Sequence, residues 1–110
     1  MAKIGIIRCQ QTEDLCPGTT CIKVARQGKL AFEAYGPSEI VGIVSCGGCP
    51  GKRAVQRAKV LADRGAETIA LASCISKGTP IGMPCPHFEL MKKAISTKVG
   101  TGVVLLDYTH

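Results

Sequence analysis

The sequence predicts an α/β fold: a three-layer, flavodoxin-like or Rossmann-like domain with a mainly parallel sheet of about four strands and helices on both faces. Two observations carry this reading. Residues 4–8, 40–45, 68–73 and 103–107 are short apolar runs, near-continuous in Ile, Val, Leu and small residues. Parallel strands covered on both faces have that pattern, whereas half-exposed strands alternate. Helical periodicity falls between the runs, and strand-helix-strand order implies right-handed crossovers in one sheet. With 110 residues, the chain is expected to be a single domain over 1–110.

The elements follow in order. After the first run, a weak helical pattern covers residues 17–27 and ends near Gly28. Residues 30–35 are ambiguous, an irregular segment or an antiparallel edge, because the four residues from Gly36 to Glu39 are too few for a parallel crossover. From residue 51 to 64, Ala54, Val55, Ala58, Leu61 and Ala62 form one apolar face, and Gly65 stands where a C-terminal glycine stops a helix. From 86 to 98, Phe88, Met91 and Ile95 mark another.

Composition narrows the function. Aromatics are 4% of the chain and Trp is absent, so a groove of stacking aromatics for single-stranded nucleic acid is poorly supported. The net charge of +6 reads as a solvated basic face, since Lys and Arg are scattered. The apolar run at the start is too short for a signal peptide or a membrane span, and a cytoplasmic protein with no membrane association is expected. The sequence names no protein partner.

Seven cysteines are the feature to explain. In a cytosolic chain, clustered cysteines point to metal or redox chemistry. Cys9, Cys46 and Cys74 each follow a predicted strand, and His110 lies past the fourth. Parallel strands finish on one edge, the edge where open α/β sheets bind ligands. Cys16, Cys49 and Cys85 each precede a proline, which favours the first helical position, so each is expected to cap a helix starting at that same edge. There the helix dipole favours thiolate. Cys21, inside the first helix, is expected to pack. His87 is either a ligand or a solvated helix-start residue.

Cys46-Gly47-Gly48-Cys49 is the sharpest local motif. Two cysteines separated by two residues bite one tetrahedral metal, and paired glycines let the backbone turn around it. The same spacing between strand and helix describes a redox dithiol. A dithiol needs only a pair, and the surplus of cysteines favours metal. No Ser-His-Asp set, phosphate-binding loop or paired acidic constellation is evident.

The motif from Cys46 to Lys52, with Cys9 and Cys16-Pro17-Gly18 before it and Cys74, Cys85-Pro86-His87 and Thr109-His110 after it, resembles the CGGC-domain family over essentially the whole chain. The resemblance implies a small prokaryotic protein, common in anaerobes and described as a predicted metal binder on account of its Cys and His residues. Tyr108 departs from the glycine expected before Thr-His and leaves the histidine in place.

The expected function is therefore metal binding for storage, delivery or sensing. The ligands are drawn from Cys9, Cys46, Cys49, Cys74, Cys85 and His110, with Cys16 and His87 as further candidates. Zinc is the first choice and an iron–sulfur cluster the second. The excess of ligands suggests two metals, a cluster, or one metal with spare thiols. The alternatives are a thiol-disulfide or sulfur-transfer oxidoreductase using Cys46 and Cys49, and an adaptor for protein or nucleic acid with a purely structural metal.

Overall fold

Four parallel strands in the order β2-β1-β3-β4 organise the chain. The computed structural model describes residues 1–12, 14–78 and 82–110. Its elements in chain order are β1 (Ala2–Arg8), α1 (Thr19–Gln27), β2 (Ser38–Ser45), α2 (Lys52–Asp63), β3 (Thr68–Leu71), α3 (Ser73–Ser76), α4 (Phe88–Val99) and β4 (Val104–Leu106). All three strand pairings are parallel. The central strands are buried on both faces: Ile4, Gly5, Ile6 and Ile7 in β1, and all of β3. The three-layer α/β reading holds.

The two helical layers separate on a simple test. Side chains alternate across a strand, so neighbours in β2 face opposite ways. A Cβ added at Gly42 would meet Leu61 of α2 at 2.9 Å, whereas Ile43 approaches Gly18 at the start of α1. So α1 lies on one face and α2 on the other, where it packs against α4. Gly5 and Gly42 are partners in the sheet, brought together by a register shift after Ile4. Both lie beneath Leu61, and any larger residue there would push α2 off the sheet.

The chain runs from β1 outward to β2, then crosses to β3 on the other side of β1. Strand order thus reverses between β1 and β3, which makes their carboxyl ends the topological switch point.

Several expected boundaries shift. The three helices begin at Thr19, Lys52 and Phe88, with Gly18, Gly51 and His87 as N-caps. Cys16, Cys49 and Cys85 therefore stand two residues before the cap rather than on it. In the first two cases the glycine after Cys-Pro holds φ of 83° and 93°, a left-handed cap that delays the helix. The third strand ends at Leu71, and Cys74 lies inside the one-turn helix α3 instead of directly following a strand. Of the two readings of residues 30–35, the irregular segment is the one found, with a 3-10 turn over Leu30–Phe32 and Phe32 fully buried. The helix stop at Gly65 is as expected: its N–H bonds to Ala62, and that of Ala66 to Leu61. Among the described residues, no helix is long and apolar enough to cross a membrane.

Candidate functional site

The sheet ladder continues past the strand ends and delivers the first sulfurs. The Cys46 N–H donates to the Arg8 carbonyl at 2.7 Å, and the Ala72 N–H to the Ile7 carbonyl at 2.9 Å. These bonds hold Cys9 between the chain leaving β2 and the chain entering α3. The Cys9 N–H then donates to Cys74 Sγ at 3.1 Å, directly across the switch point.

Each sulfur-bearing loop is shaped locally. Gly47 and Gly48 have φ of 82° and 102°, the left-handed turn that paired glycines between the two cysteines allow. From α2, Arg57 donates to the Ser45 carbonyl at 3.0 Å and to its hydroxyl at 2.8 Å, and that hydroxyl accepts the Gly47 N–H at 3.3 Å. Within the loop Cys46 is buried and Cys49 exposed. The Cys85 N–H donates to the Ile75 carbonyl at 2.8 Å, tying its loop to α3, and Cys85 Sγ accepts the His87 N–H at 3.4 Å.

Two separate cavities receive the side chains. On the α2 and α4 face, Cys9, Cys46, Cys49, Cys85 and His87 line one pocket. Ile75 and Met91 help to close it. Its volume is ≈ 10 Å³, room for about one water-sized species. On the α1 face, Cys16, Cys21, Cys74 and His110 line a wider cleft of ≈ 290 Å³ together with Leu15, Pro17, Thr19 and Thr20. The eight sequence candidates thus reach the same sheet edge but divide between its two faces, five against three. Among the described residues, no group of three or more His, Cys, Asp and Glu side chains forms a ready-made metal site.

The electrostatics differ on the two sides. Burial pushes the Cys9 thiol above its ordinary value; the N–H of Gln11 opposes this, and nearby Cys46 and Cys74 add to it. Burial likewise pushes up Cys21, whose Sγ lies 3.1 Å from the Thr109 hydroxyl, within the field of Cys74 and Cys16. His110 is lowered by burial and then by the Lys77 ammonium.

A buried clasp holds His110, one of the lining residues, against α3. The Ser73 hydroxyl accepts the N–H groups of Thr109 at 3.2 Å and His110 at 3.0 Å, and donates to the His110 backbone oxygen at 2.7 Å. The Ser73 N–H donates to the Thr109 hydroxyl at 3.3 Å, and Lys77 Nζ reaches the His110 oxygen at 3.2 Å. The Arg8 guanidinium donates to the carbonyl of Cys16, another lining residue.

Sequence reasoning missed Ser73, named Thr109 only as part of the Thr109-His110 motif, and gave Cys21 a packing role alone. Cys21 is in the core at 4% exposure, yet its sulfur faces the cleft residues. Thr109 beside His110 was a visible signal. Nothing in the sequence singled out Ser73.

The family model described as the CGGC domain matches residues 3–110. The chain is also similar to the uncharacterized protein MJ0582 of Methanocaldococcus jannaschii, 38% identical over 100 residues, covering 83% of this chain and 75% of that one. No solved structure matches.

Proposed function

The chain belongs to the CGGC-domain family, and on that premise we propose that it binds one metal ion in the pocket on the α2 and α4 face, through four ligands drawn from Cys9, Cys46, Cys49, Cys85 and His87. The observation that carries this is the lining of a single small cavity by four cysteines and a histidine. That donor set suits zinc, which takes Cys₄ or Cys₃His ligation. The ≈ 10 Å³ volume favours one ion over an iron–sulfur cluster, which is the other filling that such thiolates accept.

The donors have to be drawn in on binding, so metal affinity and order in the two loops are coupled. Gly47 and Gly48 leave the chelating loop free to adjust, while Arg57 and the Ile75 carbonyl anchor its neighbours. The bound ion supplies folding energy and holds thiolates in a reduced, deprotonated state. A reducing, cytoplasmic setting accords with seven free thiols. The test is elemental analysis of protein purified without oxygen, which should find zinc bound; all thiols free with no transition metal would overturn the reading.

A dithiol reading rests on a different observation. Cys46 is buried and Cys49 exposed within one loop, an asymmetry that suits an attacking and a resolving thiol. Metal-free protein that reduces a disulfide substrate, and loses the activity in both Cys46→Ser and Cys49→Ser, would favour it.

A further inference from the structure

The cleft on the α1 face is not accounted for by metal binding. Its ≈ 290 Å³ is far more than one ion fills, and lies close to the lower end of small-molecule pockets, which run from about 300 Å³. Three thiols line it. Cys21 and Cys74 are deep, at 4% and 8% exposure, and Cys16 is more accessible. Leu15 and Pro17 give the mouth apolar walls beside Cys16.

We propose that this cleft binds a low-molecular-weight organic disulfide of amino-acid size and exchanges it onto Cys16. A thiol attacks a disulfide sulfur specifically, and a cavity that holds the disulfide beside the thiol converts the encounter into a reaction within one complex. The bonds balance. The Cys16 sulfur, as thiolate, attacks one sulfur of R–S–S–R; a new S–S bond forms to Cys16 as the ligand's S–S bond breaks. The departing sulfur leaves as R–S⁻ and takes up the proton that Cys16 gave up. One disulfide is consumed and one formed, so no further oxidant is required.

The walls are suited to holding such a ligand. Arg8 fixes the backbone carbonyl of Cys16, and the clasp of Ser73 with Thr109 and His110 fixes the backbone of His110. Two of the lining residues, Cys16 and His110, are therefore positioned by hydrogen bonds within the fold.

The proposal stands apart from the metal reading, and one experiment separates them. Hydroxyethyl disulfide, which is neutral, is added to the full chain at rising concentration; the adduct on each cysteine is followed by peptide mass spectrometry, and zinc is measured in the same samples. The rate at Cys16 should saturate, as it must when reaction follows binding. Thr20→Trp places a large ring in the cleft from an exposed position on the first turn of α1. It should make the dependence linear and slow Cys16 modification by about tenfold, with zinc content unchanged. A rate at Cys16 that is linear in the native chain would overturn the proposal without touching the metal reading. So would an adduct that forms on Cys49 while Cys16 stays free.

Discussion

The two faces of the sheet edge hold most of their sulfurs in different ways. On the α2 and α4 face, Cys9, Cys46, Cys49 and Cys85 all lie on connecting segments, two of them on a loop turned by consecutive glycines. On the α1 face, Cys21 and Cys74 lie inside helices, Cys16 lies on the segment before α1, and Thr109 and His110 are clasped to the Ser73 hydroxyl by three hydrogen bonds. The first arrangement leaves a cavity for one small species and a backbone able to close on it. The second leaves a wide cleft whose walls are already satisfied. Loops order around a ligand when the ligand contributes the energy, whereas a preformed cleft keeps its shape when empty. The pair Cys9 and Cys74, joined by one N–H···S bond, is where the two arrangements meet.

The largest expected effect separates the faces by metal content. Native protein should carry about one zinc per chain, and Cys46→Ser or Cys49→Ser should each lower this to about a tenth or less. Cys16→Ser should leave it unchanged. Chelation should lower the melting temperature by an amount on the order of 15 °C, the shift expected when a ligand at about a thousand times its Kd is removed from a domain this size. Equal loss of zinc in Cys16→Ser and Cys49→Ser would mean one shared site and would dissolve the comparison.

A second effect strikes the other face. Ser73→Ala removes an acceptor from two backbone N–H groups, with Ser73 and Thr109 fully buried. Leaving such groups unsatisfied should destabilise the fold by about 2–3 kcal/mol in a denaturant titration. Zinc content should hold, because none of the proposed ligands hydrogen-bonds to the Ser73 side chain. Loss of zinc in this variant would show that the clasp supports both faces.

Cys21→Ala is smaller. It removes one buried sulfur and its contact with Thr109, whose hydroxyl keeps the Ser73 N–H. The expected cost is about 1–2 kcal/mol, again with zinc retained. A neutral result would mean that the Cys21 sulfur contributes only to the cleft lining.

How far the sequence revealed this division depends on the level. The strand-end positions of Cys9 and Cys46 follow from counting along apolar runs, and the ladder bonds at Arg8 and Ile7 bear the counting out. The helix spans were legible from periodicity, with Ala54, Ala58 and Leu61 buried as the apolar face required. The face each thiol occupies was not legible. That depends on strand order, which is a long-range property: only once β1 lies between β2 and β3 does α1 have to take the face opposite to α2 and α4. The helix caps were misplaced for a local reason. Proline at the first helical position was the rule applied, but in Cys16-Pro17-Gly18 and Cys49-Pro50-Gly51 the glycine's left-handed backbone takes over the cap.

The smallest effect is a dependence on pH that belongs to the cleft face alone. Burial of the His110 ring, aided by the Lys77 ammonium, holds its pKa below the ordinary histidine value. As pH falls through that ordinary value, about 6.5, the unfolded chain takes up a proton that the folded chain resists. The unfolded state then binds more protons, and stability falls with falling pH. The contribution is fully present above about pH 6.5 and is lost on descending toward the folded pKa. Metal-free protein isolates the effect, since reprotonated thiols release metal over a similar range. In that form, native protein and His110→Gln should show parallel stabilities above neutrality, and the native chain alone should lose an added increment as pH falls below about 6.5. Lys77→Met should reduce the increment only in part, because the ammonium is the lesser of the two causes. Identical slopes in native protein and His110→Gln would mean that the imidazole stands in water rather than against the cleft, and the clasp would then order the backbone of His110 without its ring.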